Sequence, residues 1–508
     1  MVGLAAPGPD SLICDPAVGS GGFLVGALNY VREHFDGRSP KVTGVDIDER
    51  MAWVARINVF LHGGDPAAIA HIPGAGSLSP HARIKQFLPK DGFTTILANP
   101  PFGSDMTDTE ALKSFATGKG RSTRRRGVLF IERCIDLLRP GGTLAIVIDD
   151  SILNLDGNAD VRRFIRQRTL IDAVISLPDV TFMPYSTAKS SVLVLTKRTG
   201  DGDRQRPVFM ADVENVGNRP NGDPLYQDIP SADGERTLLS DLPDVLTAWN
   251  RYKKSGVDGT IQAGSAVVFM ADIDTYADEP SGDRLDVNFF HPARQEAAEV
   301  LSHAIVPTYE LGELFDFDNA SISPADIYGD AAVSWIGLGD ITAETGEYAV
   351  TQVRADRIKS SVHQYSPGDI LLSKLRPKLR KVILIPELSG EGICSAELVV
   401  LRPKESPEAK IIPAYAVHLL RSDLSYGQQV YQITGVGRPR VGMSALKRLR
   451  LPVPSEADQR RMLRKLDLSF ADYEEKQAAA AALRLEANML LRGAYDYAVA
   501  SVTSGSII

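Results

Sequence analysis

Short β-branched apolar runs alternate with amphipathic stretches from the start of the chain to about Arg198, and this alternation constrains the fold most. "SLICD", "KVTGVDID", "TTILANP" and "TLAIVIDD" read as strands. "GGFLVGALNYVREHF", "DERMAWVARINVFLHG" and "VLFIERCIDLLRPGG" read as helices closed by Gly or Pro-Gly stops. "LIDAVISLP" and "KSSVLVLTKR" add two later strands. This order predicts an α/β fold on a doubly wound, mostly parallel sheet. In such sheets ligands bind at the C-terminal edge of the strands.

The pattern divides the chain into four parts. Residues 1–200 carry the strand–helix alternation. Residues 201–292 are turn-rich and polar ("GDGDRQRP", "NRPNGDP", "DEPSGDR") and read as a connecting segment with some structure. Residues 293–454 return to short strands, which predicts a smaller, β-rich α/β domain. Residues 455–508 read as one long helix. Leu463, Leu466, Phe470 and Tyr473 give it an apolar stripe that Gln477 and Arg484 interrupt.

Bulk properties narrow the function. Of the 508 residues, 44% are hydrophobic and 24% charged, as in ordinary globular proteins. The three cysteines are far apart and the eight histidines show no paired spacing, which argues against a zinc site and for a reducing compartment. No signal-peptide pattern is visible, and no apolar run approaches the ~20 residues of a membrane span, so the reading is cytoplasmic. A net charge of −8 leaves any nucleic-acid contact to local patches.

Two strand ends carry chemistry. "DPAVGSGGFL" places Asp15 and Pro16 before a glycine turn at the start of a helix. Gly19, Gly21 and Gly22 allow a tight turn and close approach to a ligand. The dinucleotide pattern GxGxxG would need a glycine where Leu24 stands. Asp15 suits the ammonium of an amino-acid-like ligand. Asp46, ending the next strand, is either a carboxylate for two ribose hydroxyls or a strand-end turn acid. "ILANPPFG" ends a strand in Asn99, Pro100, Pro101 and Phe102. Two prolines stop strand and helix alike, so Asn99 and Phe102 sit on a stiff loop.

"DPAVGSGGFL", "GVDID" and "ILANPPFG", in that order, resemble the amino-group DNA methyltransferases. The likeness is nearest to the modification subunit of type I restriction-modification systems and runs from Met1 to about Lys197. It implies S-adenosyl-L-methionine as cofactor, with Asp15, Pro16, Gly19 and Gly21 at its binding turn, Asp46 on its ribose, and Asn99 at its edge. It implies that Asn99, Pro100, Pro101 and Phe102 form the catalytic loop for a flipped adenine. The Asn99 side-chain oxygen and the Pro100 carbonyl would accept the amino hydrogens, and Phe102 would stack on the base. The family carries an N-terminal helical domain and a "TP" segment before the first strand, which are expected from a longer reading frame or another chain. It also has an acid in a "GDSL"-like turn where this chain has "AGSL", with Gly76 in the acid's place.

Three basic clusters stand out: Lys119, Arg121, Arg124, Arg125 and Arg126; then Lys374, Arg376, Lys378, Arg380 and Lys381; then Arg438 and Arg440. A charge run is usually a solvated face. However, "YSPGDILLSKLRP", "ICSAELVVLRP" and "ITGVGRPRVGMSALKRLRLPVPSEADQRRM" resemble one target-recognition domain of a type I specificity subunit, from about Tyr309 to Gln477. That likeness puts Lys374, Arg376, Lys378, Arg438 and Arg440 in loops facing double-stranded DNA, while Arg124, Arg125 and Arg126, just after the catalytic loop, are expected to meet its phosphates. It makes Asp458-Gln459 the entry to a spacer helix, with Asp where Glu is usual. One recognition domain implies a partner helix, most simply from a second copy, hence a homodimer; cleavage would need a separate restriction subunit. The expected activity is site-specific adenine-N6 methylation of DNA. Its rivals are cytosine-N4 methylation, which more often uses Ser at the Asn99 position, methylation of a protein glutamine amide, and a catalytically impaired DNA-binding module.

Overall fold

The computed structural model describes residues 1–79, 89, 91–227, 236–256, 259–279, 282–404, 410–433, 438–466, 468–469 and 476. The chain forms two compact units, residues 1–295 with 430–439, and residues 296–429 with 440–508.

The first unit is built on a ten-stranded sheet. Its strands are β1 (Leu12–Asp15), β2 (Lys41–Asp46), β3 (Ile69–His71), β4 (Phe93–Ala98), β5 (Leu138–Asp149), β6 (Thr169–Ser176), β7 (Ser190–Lys197), β8 (Val208–Asp212), β9 (Ile261–Ala263) and β10 (Ala266–Ala271). The order is β9-β10-β8-β6-β7-β5-β4-β1-β2-β3. Strands β1 to β5 are mutually parallel, while β7 runs antiparallel to both β5 and β6. The order reverses between β1 and β4, so the C-terminal ends of β1, β2 and β4 share one edge at the switch point.

Both faces of the sheet are covered. Ile96, Leu144 and Ile146 point into one apolar layer; Leu97, Ala145 and Val147 point into the other. Period-two alternation with both sets buried explains why these strands read as near-continuous apolar runs. Helix α1 (Gly22–His34) buries Leu24, Ala27, Leu28 and Val31, a single helical face. Helix α2 (Glu49–Leu61) starts at Asp48, whose side chain accepts the Arg50 and Met51 N–H groups. Helices α3 (Arg126–Leu137) and α4 (Ala159–Arg168) follow.

Residues 201–292 contribute more than the connection expected of them. Strand β8 pairs parallel to β6, and the β9–β10 hairpin extends the same sheet through β10. These strands are three to six residues long between polar turns, so the turns dominate the local composition. Helix α5 (Leu242–Ser255) buries Trp249, whose indole N–H donates to the Leu4 carbonyl at 3.1 Å.

The second unit holds two four-stranded sheets and a two-stranded ladder. In one sheet, Leu398–Pro403 and Ile370–Ser373 lie between Phe315–Phe317 and Val382–Leu384, all antiparallel. In the other, Ala332–Ile336 pairs parallel with Gly392–Ser395. Ile336, Leu371, Ile383, Leu398 and Val400 share one buried core. Residues 456–466 are helical; Phe470, Tyr473, Gln477, Arg484 and the rest of the expected stripe lie outside the described residues. Among the described residues, no helix is long and apolar enough to cross a membrane.

Candidate active site

The strand order brings Asp15, Asp46 and Asn99 to the same sheet edge, at the ends of β1, β2 and β4. The glycine turn between β1 and α1 is held from two sides. Val18 donates its N–H to the Val45 carbonyl at 3.0 Å, and Gly19 donates to Asp46 Oδ2 at 2.8 Å. The other oxygen, Asp46 Oδ1, accepts the Asp48 N–H at 2.8 Å. Each oxygen thus takes one backbone donor and keeps acceptor capacity. Gly19 has φ +50° and open space where a Cβ would be; Gly21, at φ +87°, caps α1. Both conformations favour glycine.

Asp15 is buried at the floor of the turn and accepts the Ala17 N–H at 3.0 Å. Burial pushes its carboxyl up to about 7; the Ala17 hydrogen bond opposes this and the nearby Asp46 charge adds to it. The "AGSL" turn closes the edge: Ser77 Oγ donates to the Pro16 carbonyl at 2.6 Å. Gly76 adopts φ +56°, and a Cβ there would lie 2.6 Å from Ile47 Cγ2.

Past β4, Asn99 is exposed, Pro100 is buried, and Phe102 is half-buried against the Phe182 ring, with centroids 5.5 Å apart at 49°. Asn99 and Phe102 line a cavity of about 700 Å³ together with Thr181, Phe182, Tyr185 and Asn218. That volume is in the range of small-ligand sites. Sequence reasoning missed Phe182, Tyr185 and Asn218. The first two had a usable signal, an aromatic pair just after the end of β6 at the ligand-binding edge. Asn218 had none, standing in a polar, turn-rich stretch.

Two family models match. Residues 1–225 match "N-6 DNA Methylase" and residues 306–480 match "Type I restriction modification DNA specificity domain". The chain joins an N-6 DNA methylase domain to a type I DNA specificity domain. It is 26% identical over 259 residues to the type I restriction enzyme EcoKI methylase subunit of Escherichia coli K12, covering 47% of this chain and 45% of that protein. The MpnII methylase subunit of Mycoplasma pneumoniae is 27% identical over 217 residues, covering 40% and 38%. The chain therefore spans less than half the length of these curated relatives. The crystal structure of the type IIG restriction endonuclease BpuSI aligns with 92% of this chain and 59% of its own, at 13% identity and a TM-score of 0.42.

N-6 DNA methylases use S-adenosyl-L-methionine. The N-6 DNA methylase domain presents a fitting set of groups: an unblocked glycine cradle, a carboxylate with acceptor capacity to spare, and a second acid beneath the turn. These suit a ligand with ribose hydroxyls and cationic centres.

The basic residues of the methylase domain divide sharply. Arg124 is corrected from its expected DNA-facing place: its side chain is 6% exposed and both Asp160 oxygens hold its guanidinium, at 2.9 and 3.0 Å. It lies on a two-residue strand pairing with Asp105–Met106, where successive side chains point to opposite faces. Its neighbour Arg125 faces out, 60% exposed, with a guanidinium nitrogen 3.9 Å from Asp149. Arg126 begins α3 and is half-buried.

In the specificity domain, Arg376 and Lys378 are exposed on a tight turn, with Arg376 at φ +50°. Lys374 opens that loop, and its carbonyl accepts the Val441 N–H at 3.0 Å, which brings Arg440 beside it. The Arg440 guanidinium is paired with Glu397. Arg438 is exposed and belongs to the first compact unit.

Proposed function

We propose that this chain is a site-specific DNA adenine-N6 methyltransferase. One observation carries this: Asn99 and Phe102 line a single cavity at the sheet edge that also bears the Asp15–Gly21 turn and Asp46. Bound S-adenosyl-L-methionine supplies an electrophilic methyl group on a sulfonium. In this reading Asp46 accepts the ribose hydroxyls, Gly19 and Gly21 leave the backbone open to the ligand, and Asp15, beneath Pro16, faces its ammonium.

An exocyclic amino nitrogen is a poor nucleophile because its lone pair is delocalised into the ring. Asn99 Oδ1 accepts one amino hydrogen and the Pro100 carbonyl the other, which draws the nitrogen toward a pyramidal geometry. Pro101 stiffens the backbone that fixes this carbonyl. The work is positioning and electrostatics. Phe102, buttressed by Phe182, offers a stacking face worth ~1–3 kcal/mol against the few kcal/mol that base extrusion costs.

Methyl transfer falls to residues 1–200, with residues 201–292 completing their sheet. Recognition falls to residues 293–454, through Lys374, Arg376 and Lys378, with Arg125, Arg126, Arg438 and Arg440 as further basic contacts. Phosphate contacts would set the duplex position and one or two guanidinium groups would read base edges. The segment 455–508 would pair with a second copy, a separate restriction subunit would cut, and the complex would act in the cytoplasm.

The test is transfer of labelled methyl from S-adenosyl-L-methionine to genomic DNA, followed by digestion to nucleosides. Label in N6-methyladenine, lost in Asn99→Ala, is the expected result. Label in N4-methylcytosine, or an Asn99→Ala chain as active as wild type, refutes the reading.

A further inference from the structure

The cavity that holds Asn99 has a second wall, a tight loop from Gly217 to Pro224. Asn218 and Pro224 bridge its base, Arg219 donates its N–H to the Asp223 carbonyl at 2.8 Å, and Gly222 donates to the Arg219 carbonyl at 2.9 Å. Gly222 seats the loop against the wall formed by Phe182 to Tyr185. It adopts φ +88°, and a Cβ there would lie 3.1 Å from Pro184 Cδ. Asn221 and Asp223 satisfy each other: the Asn221 amide donates to Asp223 Oδ2 at 2.6 Å and the Asp223 N–H to Asn221 Oδ1 at 3.1 Å. Asn218 differs. It is half-buried, lines the cavity, and its side-chain amide makes no hydrogen bond among the described residues. Here two unpaired primary amides, Asn99 and Asn218, line one cavity from different loops.

We infer that Asn218 is a specificity-determining residue that donates its side-chain N–H to a ring nitrogen of the extruded adenine. This rests on the methyltransferase reading above. With both amino hydrogens taken by Asn99 and Pro100, adenine still offers the ring acceptors that flank its amino group, N1 and N7. An amide donor complements either one, and the loop that carries it lines the same cavity as the Asn-Pro-Pro-Phe turn. Asn218 touches the base edge and adds to discrimination, while Asn99 remains the group on the reacting nitrogen.

The experiment uses the full chain and duplex oligonucleotides bearing its methylation site, mapped from methylated positions in treated genomic DNA. The target position holds adenine, 1-deazaadenine or 7-deazaadenine. Asn218→Ala should lose about tenfold in kcat/KM on adenine, the scale of one hydrogen bond. It should also narrow, by a similar factor, the wild-type preference for adenine over whichever analogue lacks the contacted nitrogen. Asn218→Asp, of equal size but without the N–H donor, should lose at least as much while unfolding at the wild-type temperature. Wild-type preferences for both analogues retained in Asn218→Ala overturn this proposal and leave the methyltransferase reading standing. A wild-type chain that methylates no adenine overturns that reading and this one together.

Discussion

Gly19 donates its backbone N–H to Asp46 Oδ2 at 2.8 Å, so the glycine turn after β1 is tied to the end of β2. The carboxylate that would meet a ribose is the one that shapes the cradle. Asp46→Ala should therefore weaken S-adenosyl-L-methionine binding and also release the turn. Leaving the Gly19 and Asp48 N–H groups unpaired costs roughly 1–3 kcal/mol. Calorimetric titration should show at least about a tenfold weaker Kd, with a lower Tm. Asp46→Asn, which keeps one acceptor, should fall between. A variant with wild-type Kd removes Asp46 from the cofactor site.

Asp15 gives the site a pH dependence whose sign is fixed by burial. Its carboxyl is pushed up to about 7 in the folded chain, from an ordinary value of 3.8. Between those values the folded chain keeps a proton that the unfolded chain has released. Stability from this group is thus lost as pH rises through that window. A cationic ligand has the opposite effect, because it binds the ionised form. Affinity for S-adenosyl-L-methionine should rise from about pH 5 to about pH 7 and then level, and Asp15→Asn should flatten the curve. Titrations across that range that show equal slopes for both chains would remove the Asp15 contribution.

Gly76 stands where the related pattern carries an acid, and its backbone geometry opposes putting one back. Its φ of +56° costs a non-glycine residue roughly 1–2 kcal/mol, and a Cβ would collide with Ile47 Cγ2. Gly76→Asp should lower the Tm and leave cofactor affinity no better than wild type. Tighter binding without loss of Tm would show that the turn accepts the acid.

The glycine turn, the two strand-end acids and the Asn-Pro-Pro-Phe loop were legible because each is contiguous and sits where an apolar run stops. Strands β8 to β10 were not, because three to six strand residues between polar turns carry too little periodicity. Arg124 and Arg125 look alike in a run of arginines. Only the pairing of Arg124 and Arg125 with Asp105 and Met106 reveals that one faces inward and the other outward. Asn218 reaches the cavity through a loop closure that no local pattern announces.

The division among the basic residues predicts different salt behaviour. Arg376→Ala and Lys378→Ala should each reduce the slope of log K for DNA against log salt by ~0.9, with Tm unchanged in Arg376→Ala. Arg124→Ala should leave the slope alone and lower stability by ~1–3 kcal/mol, since it strips the half-buried Asp160 of its main partner. Filter binding at several salt concentrations, paired with thermal unfolding, separates the two classes. A slope change in Arg124→Ala at wild-type Tm would return that residue to the DNA.

Gln459 shows what the acid-Gln pair ahead of the helical segment does physically. Its side chain is fully buried, accepts the Ile412 N–H at 2.8 Å, and donates to the Lys410 and Pro454 carbonyls at 2.8 and 2.9 Å. One amide thus joins the residues entering helix Pro413–Arg421 to the start of helix 456–466. Asp458 accepts the Ser455 hydroxyl at 2.7 Å within the first turn and pairs with Arg461 at 2.7 Å, both contacts open to solvent and so worth less. Gln459→Leu keeps the volume but strands three backbone groups, so it should cost about 3 kcal/mol, whereas Asp458→Ala should cost ~1 kcal/mol. Thermal unfolding of the full chain should show the larger loss in the specificity domain's transition, with methyl transfer to DNA falling as recognition is lost. Equal Tm for Gln459→Leu and wild type would mean that water satisfies those groups and that the clamp is dispensable.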